Sequence, residues 1–180
     1  MMKDVPYFIR CLGCRATATN LSLIPVVKRH FAEIDRSMTA YELSTYGSML
    51  DWLKQSFPYV ETSEYFPDHP LGQTVNGILN QDVQRLTFPD ESFDLVTSNQ
   101  VFEHVPDDMC AFRECYRVLR IGGALIFAVP LHDHYDVSQR LAHLENGKII
   151  FHGEPVYHGS RLTGPNSVPT FLRIPVEVGQ

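Results

Sequence analysis

The sequence predicts an α/β sandwich, one mostly parallel sheet with helices on both faces, and three observations predict it. Short apolar strand candidates alternate with segments of helical periodicity from residue 21 to residue 129. One of those strands, Phe93-Asp94-Leu95-Val96-Thr97-Ser98, has the run of apolar residues found where a strand is buried on both faces. Five strand candidates separated by helices or loops fit a doubly wound parallel sheet better than an antiparallel meander.

The elements follow in order. Leu23, Ile24, Val27, Phe31 and Ile34 repeat at helical spacing, so residues 21–35 are expected to form an amphipathic helix with Pro25 in its first turn. Residues 38–44 read as the first strand, Thr45-Tyr46-Gly47 as a tight turn, and Met49, Leu50, Leu53 and Phe57 as the apolar face of the next helix, which Pro58 closes. Tyr59–Phe66 is the second strand, and Pro67-Asp68-His69-Pro70 continues neither helix nor strand. A third strand is expected over residues 77–82 and a fourth over 93–98. The helix that follows starts at Pro106-Asp107-Asp108, with Met109, Phe112, Tyr116 and Leu119 on one face. Arg113, Arg117 and Arg120 suit its negative end, and Gly122 is its expected stop. Ala124–Val129 is the fifth strand. Beyond His132 the periodicity fades, and only residues 170–178 resemble a strand.

A chain of 180 residues, 44% hydrophobic and 20% charged, lies in the range of one globular domain with one core. Its net charge of −6 has no long run of one sign, which argues against nucleic acid or anionic lipid as the main partner and favours a small molecule. Lys3-Asp4 and Pro6 interrupt what a secretory signal would need to be apolar. The four cysteines, Cys11, Cys14, Cys110 and Cys115, are too few and uneven for a disulfide scaffold. A cytoplasmic protein with no membrane partner is expected.

In an open parallel sheet, ligands bind beyond the carboxyl ends of the strands. The first strand ends in Glu42-Leu43-Ser44-Thr45-Tyr46-Gly47, where small side chains and a glycine let backbone approach a ligand. Glu64, 22 positions after Glu42, has the spacing of an acid that binds ribose hydroxyls, with Glu61 as the alternative. Asp82 offers a carboxylate to an adenine amine and Val83 a cover for the base. The fourth strand leads through Ser98 and Asn99 to Phe102-Glu103-His104.

Asp82 to Asp94, D-V-Q-R-L-T-F-P-D-E-S-F-D, then L-V-T-S-N-Q-V-F-E-H-V-P-D-D and R-V-L-R-I-G-G, resembles the type 11 subgroup of class I S-adenosylmethionine-dependent methyltransferases. The likeness covers roughly residues 38–130. It implies a three-layer Rossmann-like sandwich, with residues 1–36 as a CxxC segment and helix, 38–130 as the cofactor-binding core and 131–180 as an irregular end within one domain. It also implies S-adenosyl-L-methionine as cofactor, S-adenosyl-L-homocysteine as product and a small-molecule acceptor. By the same resemblance Glu42, Ser44, Gly47, Glu64, Asp82, Val83, Ser98 and Asn99 bind the cofactor, with Ser44 and Gly47 at its methionine part, Glu64 at the ribose and Asp82 at the adenine, while the loop from Asn99 through His104, Phe102 included, borders the acceptor. The family's first motif has three alternating glycines, whereas this chain keeps the acid Glu42 and only Gly47.

The implied mechanism is direct displacement at a sulfonium methyl, in which alignment is worth about 7–11 kcal/mol and no metal is required. His104 is the candidate base for an acceptor that loses a proton. His132 and His134 emerge on the ligand side of the fifth strand as substrate contacts, although histidines in such a polar loop are more often solvated. Cys11 and Cys14 lack a second pair nearby and do not suggest zinc. A nicotinamide enzyme would need a glycine-x-glycine turn after the first strand, which is absent. The competing reading is a truncated or non-catalytic relative: the family's closing antiparallel strands are expected to be missing or altered, leaving an incomplete sheet prone to homo-oligomerisation.

Overall fold

The computed structural model describes residues 11–12, 16–132, 137–160, 162 and 164–175. Cys14 and His134 lie outside the described residues.

The first element among the described residues is α1 (Ala18–His30), which buries Leu23 and Val27 one turn apart and carries Lys28 and Arg29, cations at the negative end of the helix. It starts three residues earlier than its periodicity suggested, so Pro25 lies inside the helix rather than in its first turn. After β1 (Thr39–Glu42) come α2 (Ser48–Ser56), β2 (Tyr59–Glu64), the short β3 (Thr74–Val75) and β4 (Ile78–Asn80). Then follow β5 (Phe93–Asn99), a 3-10 turn at Phe102–His104, α3 (Asp108–Val118) and β6 (Leu119–Ala128). These strands form one six-stranded sheet in the order β3-β4-β2-β1-β5-β6, parallel throughout except for the β3–β4 pair. The chain leaves β1 toward β2 on one side and returns to β5 on the other, so the switch of strand order lies between β1 and β5.

Alternation along the central strands divides the core into two layers. Ala40 and Leu95 face α1 and α2, where they pack with Leu23, Val27, Met49 and Leu53. Tyr41 and Val96 face the other way, toward Phe93, Phe102, Ala111, Cys115 and Val118. Tyr41 is fully buried, and its hydroxyl is satisfied by Ser63 Oγ at 2.6 Å.

Two expectations about the α3–β6 unit are corrected. The buried face of α3 is Ala111, Cys115 and Val118, while Met109 and Tyr116 are 59% and 83% exposed. Small side chains at that face bring the helix close to the sheet, which the larger ones would prevent. Gly122 does not stop the helix, which ends at Val118. It sits at φ 84° in an irregularity where Leu119 pairs with Phe93 and the next pair is Ala124 with Leu95. A Cβ on Gly123 would lie 2.9 Å from the carbonyl oxygens of Arg120 and Asp94, so the doublet is required by this kink.

The described residues of the segment expected to be irregular form seven short strands: β7 (Leu131–His132), β8 (Gln139–Arg140), β9 (Ala142–Glu145), β10 (Lys148–Phe151), β11 (Tyr157–Ser160), β12 (Gly164–Pro169) and β13 (Leu172–Pro175). They form a β7-β13-β8 sheet and the antiparallel pairs β9–β10 and β11–β12. Asn146 and Gly147, both at positive φ, make the two-residue turn of the β9–β10 hairpin. None of these strands joins the large sheet, whose edge is β6. The segment docks through backbone: Phe171 N–H donates to Glu103 O at 2.7 Å.

Candidate functional site

The carboxyl ends of β1, β2, β4 and β5 hold the predicted residues on one edge of the sheet. Glu42 closes β1 between Thr62 and Thr97 of the flanking strands and is 2% exposed. Thr97 Oγ1 donates to its carboxyl. Burial pushes that carboxyl up to about 8; the Thr97 hydrogen bond opposes the shift and the nearby charge of Glu64 adds to it. Glu42 is therefore mostly protonated at neutral pH.

Beyond Glu42 the loop turns over Ser44, whose hydroxyl donates to Tyr46 O at 2.9 Å, and enters α2 through Gly47. Gly47 has φ 111° and ψ 159°, a conformation essentially restricted to glycine, which explains why this one glycine of the motif is kept. Thr45 fastens the loop to β2: its N–H and its hydroxyl both donate to Glu64 Oε1, at 2.8 and 2.7 Å. Neither of those hydrogen bonds uses the second oxygen of Glu64. Gln81 N–H donates to Glu64 O at 3.0 Å, so Asp82, the next residue, emerges beside it. The Asp82 carboxylate caps its own turn, accepting from Gln84 N–H at 2.9 Å and from the Gln84 side chain. The turn leading to Gly47, Glu64 and Asp82 thus meet at one edge.

Across the switch point the strand tips carry polar groups with no internal partner. Ser48 Oγ at the start of α2, Ser98 Oγ, and both the oxygen and nitrogen of the Asn99 side chain are buried without a hydrogen bond among the described residues. Ser98 is fully buried. Leaving such atoms unpaired costs about 1–3 kcal/mol each, so a polar ligand between the tips of β1 and β5 would relieve it. The donor set fits an adenosyl sulfonium with an amino-acid tail, which offers hydroxyls, an amine and a carboxylate.

Other predicted residues take different places. The Val83 side chain is in the core with Tyr41 and Phe102, so only its backbone is left for a base. Phe102 is 2% exposed and stacks on Phe112 at 4.6 Å, with Phe127 5.1 Å away: a core side chain, not a substrate contact. The backbone of His132 pairs β7 with β13. His104 Nδ1 donates to Pro169 O at 2.8 Å, and its Nε2 lies 3.3 Å from His158 Nδ1 and 3.7 Å from Glu103 Oε1. Burial lowers the pKa of His104, and His158 lowers it further against the opposing Pro169 bond, so the ring is neutral at neutral pH. Its Nδ1 is held by a backbone carbonyl, and its Nε2 faces His158 inside the protein. Glu103 is the group that sequence reasoning passed over: it is 2% exposed, and burial pushes its carboxyl up to about 7.

The fold and this edge define a class I methyltransferase architecture. A methyltransferase-domain family model, type 11, matches residues 29–127, more than half of the chain. The chain belongs to that family. Among solved structures, an S-adenosylmethionine-dependent methyltransferase from Aquifex aeolicus is similar with a TM-score of 0.50 at 16% identity, over 66% of this chain and 71% of that one. A candidate methyltransferase from Bacillus halodurans gives 0.51 at 21% identity, over 65% and 53%. Among curated relatives, rice 2-methyl-6-phytyl-1,4-hydroquinone methyltransferase 2 is 35% identical over 65 residues, 36% of this chain and 19% of its own length. A ubiquinone/menaquinone biosynthesis C-methyltransferase of Xanthomonas oryzae pv. oryzae is 50% identical over 42 residues, 23% and 17%. The matched stretch thus spans under a fifth of the length of these two relatives. No helix among the described residues is long and apolar enough to cross a membrane.

Proposed function

We propose that this domain binds S-adenosyl-L-methionine at the tips of β1, β2, β4 and β5 and directs its methyl group to a small-molecule acceptor, as a cytoplasmic enzyme. The observation that carries the reading is the set of buried, unpartnered polar groups at the β1–β5 switch point, Ser48, Ser98 and Asn99, in a family whose cofactor belongs there. Bound there, the cofactor supplies the electrophilic methyl group.

The chain's own residues do the rest. Glu64 holds ribose hydroxyls with the oxygen that Thr45 leaves open, and Asp82 with the Val83 amide meets the adenine edge. Ser44 and the Gly47 turn line the methionine part, and Asn99 orients what enters beside it. Neutral Glu42 stiffens the end of β1 through Thr97 without placing a full negative charge in the core. Alignment of the two reactants carries the rate. His104 does not serve as a base in this reading, because His158 faces its Nε2.

The rice relative named for a hydroquinone and the Xanthomonas relative named for ubiquinone/menaquinone biosynthesis make hydroquinones the first acceptors to test. Calorimetry with S-adenosylmethionine and S-adenosylhomocysteine, followed by radiolabelled methyl transfer to such acceptors, tests the proposal. Saturable binding of both is the expected result. Binding without transfer to any acceptor would favour the non-catalytic reading, and binding of neither would end the assignment.

A further inference from the structure

Away from the strand tips of β1 and β2, three side chains from two distant parts of the chain converge with the chemistry of a metal site. We infer that Glu103, His104 and His158 bind a divalent first-row transition ion, zinc in the first instance, which clips β11 to the turn after β5.

The ligand atoms of the three residues all lie within 4.8 Å of one another. His104 Nε2 is 3.3 Å from His158 Nδ1 and 3.7 Å from Glu103 Oε1. A tetrahedral ion bound at about 2.0–2.1 Å separates its ligands by about 3.3–3.4 Å, so the two measured edges need closing by only a few tenths of an ångström. The imidazole rings stand at 87° to each other, which lets both aim a lone pair at a common point. His104 Nδ1 donates to Pro169 O, fixing the tautomer that leaves Nε2 bare, the usual outer support of a metal-ligating histidine.

The second, independent observation is Glu103. It is 2% exposed, and neither carboxyl oxygen accepts a hydrogen bond among the described residues. A hydrogen bond between the two histidines would account for their 3.3 Å separation and leave Glu103 unexplained; a cation accounts for both. Two imidazoles and one carboxylate suit zinc and its neighbours, whereas calcium and magnesium prefer oxygen alone. Three protein ligands leave one position for water.

The consequence is structural. His158 belongs to β11, and Pro169 and Phe171, which bond His104 and Glu103 through backbone, flank the β12–β13 junction. An ion here adds a side-chain clasp to those two hydrogen bonds.

The test uses the full chain, stripped with a chelator and dialysed. Titration with Co²⁺ should give a one-to-one endpoint with the visible absorption of a tetrahedral ion, and Zn²⁺ should displace it and raise the melting midpoint. His158→Ala and Glu103→Gln should each weaken Co²⁺ binding at least a hundredfold. Circular dichroism checks that both variants are folded, and His158→Ala, on a peripheral strand, keeps the test open if Glu103→Gln is not. The control is His143→Ala, which breaks the exposed His143–His152 pair, stacked with nitrogens 3.1 Å apart, and should leave binding unchanged. No stoichiometric binding overturns the inference. So does binding that survives His158→Ala and is lost in His143→Ala.

Discussion

Replacing Glu42 by glutamine should make the protein more stable, and increasingly so as the pH rises. Glutamine keeps the shape of the protonated carboxyl and a partner for Thr97, but it cannot ionise. In the unfolded chain the carboxyl titrates at its ordinary 4.5, and in the fold at about 8. A group whose folded pKa is raised gives its full stability below the unfolded value and loses it as pH climbs toward the folded one. Each unit in that window is worth about 1.4 kcal/mol, so between about pH 5 and about pH 7 the wild type should lose about 2.5 kcal/mol that the variant keeps. Glu103, also raised, drifts in the same direction and His104, lowered, in the opposite one, but both are common to the two proteins and cancel in the difference. Urea unfolding of both proteins at the two pH values measures the quantity directly. Equal pH dependence in the pair, or a variant that loses ground as pH rises, would refute the reasoning.

Three further outcomes follow from other contacts. Glu64→Gln retains an acceptor for Thr45 and removes the charge offered to ribose; losing about 1.5–3 kcal/mol should weaken S-adenosylmethionine roughly ten- to a hundredfold by calorimetry, and a change under about twofold would remove Glu64 from the site. Asn80, fully buried, accepts from Phe66 N–H and donates to the carbonyls of Phe66, His69 and Pro70. Asn80→Ala should cost about 2–4 kcal/mol in denaturant unfolding, and a loss below about 1 kcal/mol would mean that the 66–70 segment holds itself. Arg117 joins α3 to the loop before β5 through Glu114, Asp90 and the carbonyls of Leu86 and Phe88. Arg117→Met should cost about 2–3 kcal/mol, with much of the effect persisting in salt because two of the partners are backbone carbonyls.

The parts of the fold that were legible are those where one local pattern dictates one burial. The strand at Phe93 was clear because both its faces are covered, and the order of helices and strands followed from alternation of period. The face of α3 was not, because hydrophobicity favours Met109 and Tyr116 while closeness to the sheet selects Ala111 and Cys115. Residues 131–175 hid their strands because each is short, exposed on one side and paired with a neighbour that no periodicity announces. At the site, spacing was enough to bring Glu42, Glu64 and Asp82 to one edge. Asp94, inside the most recognisable string, lies at the opposite end of the strands, where it accepts from Thr39 and Arg120. Glu103 stands beside His104, yet the partners of this turn, Phe171 and His158, come from more than fifty positions away, which no local pattern reports.

The last strand of the large sheet is ten residues long and is hydrogen-bonded on one side only among the described residues. Nearby surfaces carry Tyr116 and Ile121, both well exposed. A backbone row with unanswered donors and acceptors is an invitation to any extended chain, including the same strand of a second molecule. Protein concentration therefore becomes a variable of the structure itself, and preparations handled at high concentration should be watched for strand-mediated association before any weak ligand binding is blamed on the carboxyl ends of the strands.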